Sequence, residues 1–153
     1  GTYSNSESTD NLYSCIQKRN SKKVFKENKK DYDRLADHIG KIPLVMISPY
    51  DRDLINDGSE VRRKYIDSVI SQFERIYLND LINYNKALLQ RNVLLKKFAE
   101  RNYYDRASLE IWDEQLIKLG EKIHGVRKAF IQEYSPLFQQ YFNFIFSVTI
   151  TYY

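Results

Sequence analysis

Apolar positions change their period along this chain, and each change marks a different kind of element. Between residues 12 and 47 they come in short runs. Leu12-Tyr-Ser-Cys-Ile16 and Val24-Phe25 flank the turn-like Arg19-Asn20-Ser21, a pattern that predicts a β-hairpin. Asp31 to Ile39 predicts a short helix that ends at Gly40. Ile42 to Ile47 is then unbroken apolar sequence, as in a strand covered on both faces, with Pro43 suited to its start or edge because proline lacks a ladder donor.

Beyond Gly58 the period becomes helical. Ser59 fits an N-cap, and Val61, Tyr65, Val69, Phe73, Ile76, Leu81, Tyr84, Leu88, Leu95 and Phe98 recur with charges between them. The polar stretch Arg101-Asn-Tyr-Tyr-Asp-Arg106 interrupts the stripe. Leu109, Trp112, Leu116, Leu119, Ile123, Val126 and Phe130 follow at alternating spacings of three and four, a heptad seam. Two such helices joined by a short polar loop predict an antiparallel hairpin in which each hides the other's stripe, with Trp112 as an anchor between them. Ser135-Pro136 predicts a kink or restart, and Val148-Thr-Ile-Thr151 a returning strand. The expected fold class is α+β, predominantly α. A disordered tail spans 1–10, a β-rich part 11–48, a helical lobe 49–147 and the returning strand 148–153.

Composition narrows the class. With 153 residues, 42% hydrophobic and 14% aromatic, the chain can bury a core. A net charge of +4 is compatible with nucleic acid. The single cysteine, Cys15, excludes an internal disulfide framework and fits a reducing compartment. No apolar run is long enough to span a bilayer, so the expectation is a cytoplasmic protein without a membrane partner.

Candidate chemistry is sparse. The sequence has no Gly-x-x-x-x-Gly-Lys-Ser/Thr loop to cradle ATP phosphates and no apolar strand ending in paired carboxylates for magnesium. His38, His124 and Cys15 lack metal-ligand spacing, so neither a metal site nor an enzyme complete in itself is expected. Lys22, Lys23, Lys26, Lys29 and Lys30 fall in a basic segment that reads either as a phosphate-neutralising face or as a solvated edge that discourages strand pairing. Arg62 and Arg63 open a helix, where the macrodipole disfavours cations, and so call for an acidic neighbour or a phosphate. Gln90-Arg91-Asn92 interrupts the first helix's stripe, with Asn92 expected to face the seam as a register-setting group.

Three stretches carry a resemblance. Leu44-Val-Met-Ile-Ser-Pro-Tyr-Asp-Arg-Asp-Leu-Ile-Asn-Asp-Gly followed by Arg62-Arg63 and Ile66-Asp67 is similar to the middle of the RecF family, DNA-repair ATPases related to the SMC proteins. Tyr84-Asn-Lys-Ala-Leu-Leu-Gln-Arg-Asn-Val-Leu-Leu-Lys96 follows at the family's distance, and Trp112-Asp113, Gln115-Leu116, Gly120 and Arg127 extend the likeness from about Tyr32 through Tyr152.

The resemblance implies the helical lobe of a split ATPase head, with the phosphate-binding loop before this segment and the signature and magnesium motifs after it. It implies that Ser48, Pro49 and Asp51 occupy a Q-loop, the turn that couples nucleotide to lobe position. For a whole family member it implies ATP and Mg as cofactors, DNA binding, an ATP-dependent self-dimer, and RecA loading with RecO and RecR in DNA repair, replication, recombination and the SOS response. Read from the residues alone, a stand-alone nucleic-acid-binding module and a helical scaffold for protein partners stay open.

Overall fold

The computed structural model of the chain describes residues 11–150, with side chains through residue 146. The expected tail at 1–10 lies outside the described residues. Strands β1 (Tyr13–Ile16), β2 (Val24–Glu27) and β3 (Lys30–Asp31) form an antiparallel sheet in that order. Pairing of Tyr13 with Glu27 and of Cys15 with Phe25 puts these four residues on one face. The hairpin is as expected, and the third strand is an addition. Its turn uses Asn28 and Lys29 at φ 51 and 72, the left-handed pair of a two-residue hairpin, and Asn28 Oδ1 accepts the Leu12 N–H at 3.0 Å.

The helix expected over 31–39 contracts to a single 3₁₀ turn, Leu35–His38, closed by Gly40 at φ +83. Ile42–Ile47 forms no strand among the described residues, and Val45 and Ile47 are each 88% exposed. An apolar run becomes a strand only where a neighbouring backbone pairs with it along its length, and no described strand does so here.

A second 3₁₀ turn (Pro49–Arg52) runs into the short helix α1 (Asp53–Asn56), followed by α2 (Ser59–Ile70), α3 (Arg75–Arg101) and α4 (Arg106–Ile150). Gly58, not Ser59, is the N-cap of α2. The single long helix read from 59 onward is interrupted at residues 71–74, where Glu74 leaves helical geometry at φ −111, ψ 91. That elbow shifts the phase of the stripe. Phe73 and Ile76 end up 64% and 76% exposed, while Ile70, Tyr77, Leu78 and Ala87 are buried.

α3 and α4 pack antiparallel, as three cross-contacts require: Arg91 with Asp113, Tyr84 beside Gly120, and Tyr77 with Arg127. The heptad seam holds. Leu109, Leu119 and Ile123 are buried, and Trp112, Leu116, Val126 and Phe130 are half-buried. Asn102 in the left-handed region ends α3, and Asp105 caps α4 by accepting the backbone N–H groups of Ala107 and Ser108.

α4 does not restart at Pro136. Ser135 Oγ bonds the Ile131 carbonyl at 2.7 Å, and the helix runs on to Ile150, so Val148–Ile150 are helical where a strand was expected, the rest of which, 151–153, lies outside the described residues. Past Phe130 this helix reaches beyond the start of α3 with an i, i+4 ladder of Tyr134, Phe138, Phe142 and Phe146.

The phase shift is testable by paired truncation. Ile70→Ala should destabilise the chain by about 2–5 kcal/mol through lost burial and a residual cavity, while Ile76→Ala stays within about 0.5 kcal/mol. Urea unfolding monitored by circular dichroism measures both; equal losses would mean that α2 and α3 continue as one helix.

Candidate functional site: the elbow between α2 and α3

Segment 34–48 bears on the elbow at three points. A Cβ on Gly40 would lie 2.2 Å from the Gln72 carbonyl oxygen, so only glycine allows this approach, at a φ that also favours it. The Leu44 N–H donates to Gln72 Oε1 at 3.0 Å. Arg75 donates to the Ala36 carbonyl at 2.6 Å and pairs with Asp37, whose carboxylate also takes Arg34 at 3.1 Å. Burial pushes the Asp37 carboxyl up, but the hydrogen bonds from Arg34 and Arg75 outweigh it and hold the group below its ordinary value.

Four residues beyond Leu44, Ser48 and Asp51 form a reciprocal cap. Asp51 Oδ2 accepts the Ser48 N–H at 2.8 Å, and Ser48 Oγ accepts the Tyr50 N–H at 3.2 Å, with Pro49 at the first position of the turn. These three residues are therefore brought together as a self-contained turn on an exposed edge.

Below the elbow, Asp67 of α2 gathers α3 and α4. Its two oxygens accept Arg127 Nε at 2.8 Å and Nη2 at 2.7 Å, and Oδ1 also accepts the Tyr77 hydroxyl at 2.5 Å. Burial, then the Asp67 bond, push the Tyr77 hydroxyl up to about 12, against the opposing pull of Arg127. The sequence marks Arg127 only as one matching residue and gives Asp67 and Tyr77 no role. A signal existed in Arg127 next to the seam residue Val126, but its partner could be found only across 60 positions of sequence. Between α2, the hairpin and Ile42–Leu44 lies an apolar cleft of about 950 Å³ whose rim carries Arg63, Lys64 and His124.

The basic candidates are not one cluster. Lys22 and Lys23 sit in the β1–β2 connection, while Lys29 and Lys30 lie at the β2–β3 turn at the other end of β2; Lys26 between them is paired with Asp31 at 2.8 Å. Arg62 pairs with no acidic side chain among the described residues. It donates to the carbonyls of Leu54 and Asp57 at 3.3 and 3.0 Å, where the end of α1 supplies the negative pole that the start of α2 lacks. Arg63 donates to Ser59 Oγ at 2.9 Å.

Asn92 and Gln90 are exposed and away from the seam, while Arg91 crosses it to Asp113. One turn of a helix offers 3.6 positions per cycle, so a three-residue polar run cannot put all its members on one face. His38 is held by the rings of Tyr13, Phe25 and Tyr32, with Phe25 closest at 4.6 Å, and its buried Nδ1 has no partner among the described residues. No group of three or more His, Cys, Asp or Glu is placed to hold a metal ion among the described residues. No described helix is long and apolar enough to cross a membrane.

Fold and elbow together define an α+β unit, mostly helical, in which the segment after a small sheet bears on the elbow between α2 and α3. Comparison with known proteins gives the family. The chain is 53% identical over 124 residues to the DNA replication and repair protein RecF of Flavobacterium johnsoniae, covering 81% of this chain and 34% of the relative. It is 48% identical over 145 residues to the RecF of Bacteroides fragilis, covering 95% and 38%. A solved structure of the recombination mediator protein RecF with ATP in the RecFOR pathway superposes with a TM-score of 0.75 at 36% identity, over 80% of this chain and 33% of that one. No family model matches. The chain belongs to the RecF family, as a segment spanning between a third and two fifths of the length of the relatives it matches.

The proton balance of Tyr77 yields a pH test. A hydroxyl raised from 10.0 to about 12 contributes stability that is complete below 10 and lost as pH climbs toward 12; Tyr32, raised to about 12 by burial and by Glu27, acts in the same window. Denaturant unfolding across that range should show falling stability, with a shallower slope in Tyr77→Phe and again in Tyr32→Phe. An unchanged slope in both variants would refute the assignment.

Proposed function

We propose that this chain is the helical-lobe portion of a RecF-type DNA repair and recombination ATPase, and that it contributes coupling and not ATP chemistry. The observation that carries the reading is agreement at two levels: 53% identity to a RecF across four fifths of the chain, and a TM-score of 0.75 against RecF bearing ATP. The absence of a phosphate-binding lysine loop from the sequence supports a division of labour in which ATP and Mg²⁺ bind elsewhere in the whole protein.

In this reading Ser48, Pro49 and Asp51 form the nucleotide-sensing turn. The exposed run from Leu44 to Ile47, too apolar for a free surface, is covered by the rest of the head. DNA is contacted through exposed lysines, by Lys22 and Lys23 at one end of the sheet or Lys29 and Lys30 at the other. The whole protein self-associates on ATP and acts with RecO and RecR to load RecA at gaps, in the cytoplasm.

Two measurements test the reading. Calorimetry on this chain should give no micromolar, magnesium-dependent ATP binding, and an affinity of that order would overturn the division of labour. In the full-length protein Asp51→Ala, at a stability loss of about 1 kcal/mol from the broken cap, should remove an ATP enhancement of DNA binding of about tenfold. Equal enhancement in a stably folded Asp51→Ala protein leaves the turn as local structure only.

A further inference from the structure

Two kinds of contact join segment 34–48 to the elbow, and they differ in how freely they can change. At Gly40 and Gln72 the approach is backbone to backbone, and the Leu44 N–H is held by the same glutamine's side chain at 3.0 Å. The Gly40–Gln72 approach cannot be relieved by a rotamer change, whereas the Leu44 bond lasts only while the Gln72 side chain keeps its rotamer. The Arg75–Asp37 pair is different: its side chains keep 43% and 25% of their exposure, and Asp37 has a second arginine, Arg34, already bonded to the same oxygen. Release of Arg75 therefore leaves no uncompensated charge, and an exposed pair of this kind contributes little to stability. Two residues further on, Tyr77 ties the start of α3 to Asp67 and Arg127, so a displacement of the elbow is passed to α2 and α4 together.

We propose that Gln72 and Arg75 are positioning residues that join the Ser48–Asp51 turn to the α3–α4 hairpin, Gln72 as the pivot through its backbone contact with Gly40 and the Arg75–Asp37 contact as a latch that opens to leave Asp37 on Arg34 alone. The inference rests on the coupling role proposed above and identifies where in the lobe that coupling is transmitted. A movement of the turn acts along the short segment to Leu44, is held at Gln72, and reaches the hairpin only in the latch state that fixes the elbow's angle. The physical content is a two-state contact whose equilibrium both ends bias.

The experiment uses the full-length protein and reads the ratio of its DNA dissociation constants without and with ATP, beside its melting temperature. Arg75→Ala should melt near the wild type and lose most of an enhancement of about tenfold, Arg75→Lys should recover part of it, and Asp37→Asn should resemble Arg75→Ala. A purely structural pair would lower the melting temperature and leave the ratio alone. If wild type has no nucleotide-dependent DNA binding, the family-level reading of function falls and the latch with it. If wild type is coupled and folded Arg75→Ala is equally coupled, only the latch is overturned. Failure of Arg75→Ala to fold also overturns it, since an exchangeable contact must be dispensable for folding.

Discussion

The carboxylate of Asp67, shared between the Arg127 guanidinium and the Tyr77 hydroxyl, is the interaction on which the arrangement of the helices depends. It joins α2, α3 and α4 at one place. Helix α2 has only twelve residues and buries one of them, Ile70, fully, so neither its intrinsic propensity nor its apolar face would hold it alone. The Asp67 and Arg127 side chains retain 13% and 25% exposure, enough shielding for a two-pronged ion pair to outweigh the exposed pairs elsewhere, such as Lys64–Glu60. Removing one member of a fully buried pair costs about 3–5 kcal/mol; this half-shielded one lies below that limit but still sets the angle at which α2 meets the hairpin.

From that junction the remaining architecture follows in two directions. Along the hairpin, apolar burial dominates, and the ion pairs between Arg91 and Asp113 and between Lys122 and Asp80 flank the seam and orient it. Toward the sheet, burial is thin and hydrogen bonds take over. Glu27 accepts the hydroxyls of Tyr13 and Tyr32 and lies 3.4 Å from Lys41; these contacts overcome the burial that would raise its carboxyl and hold it below the ordinary value. With Tyr13 and Tyr32 also packed around His38, this cluster keeps the first 3₁₀ turn against the strands and so fixes where Asp37 is presented to Arg75.

The candidate site was legible where its chemistry is local. Ser48, Pro49 and Asp51 announce a capped turn because the cap acceptors and donors lie within three residues of each other, and the structure forms that turn. Gly40 announces a stop, and the stop is there. Arg62 calls for compensation at the start of its helix, and the carbonyls it meets belong to the end of a neighbouring helix and carry no side-chain signature. The lysines were read as one segment, yet a hairpin turns a basic run into two separated ends. Asn92 was assigned to the seam from an interruption in the stripe, and Arg91 beside it makes the crossing instead.

By itself the sequence determined the elements whose partners are close or periodic: the β1–β2 hairpin, the stop at Gly40, the polar break at 101–106 and the seam from Leu109 to Phe130. These depend on local dihedral preference and on a repeat that any antiparallel partner satisfies. The tertiary structure decided everything that needed a distant partner. It broke the helix at Ser71–Glu74, moved burial from Phe73 and Ile76 to Tyr77 and Leu78, and left Leu44–Ile47 exposed without a ladder. It also carried α4 through Pro136 into residues whose β-branched character suggested a strand. In each case the local pattern states what a segment can bury or bond, and only the presence or absence of a neighbour determines whether it does.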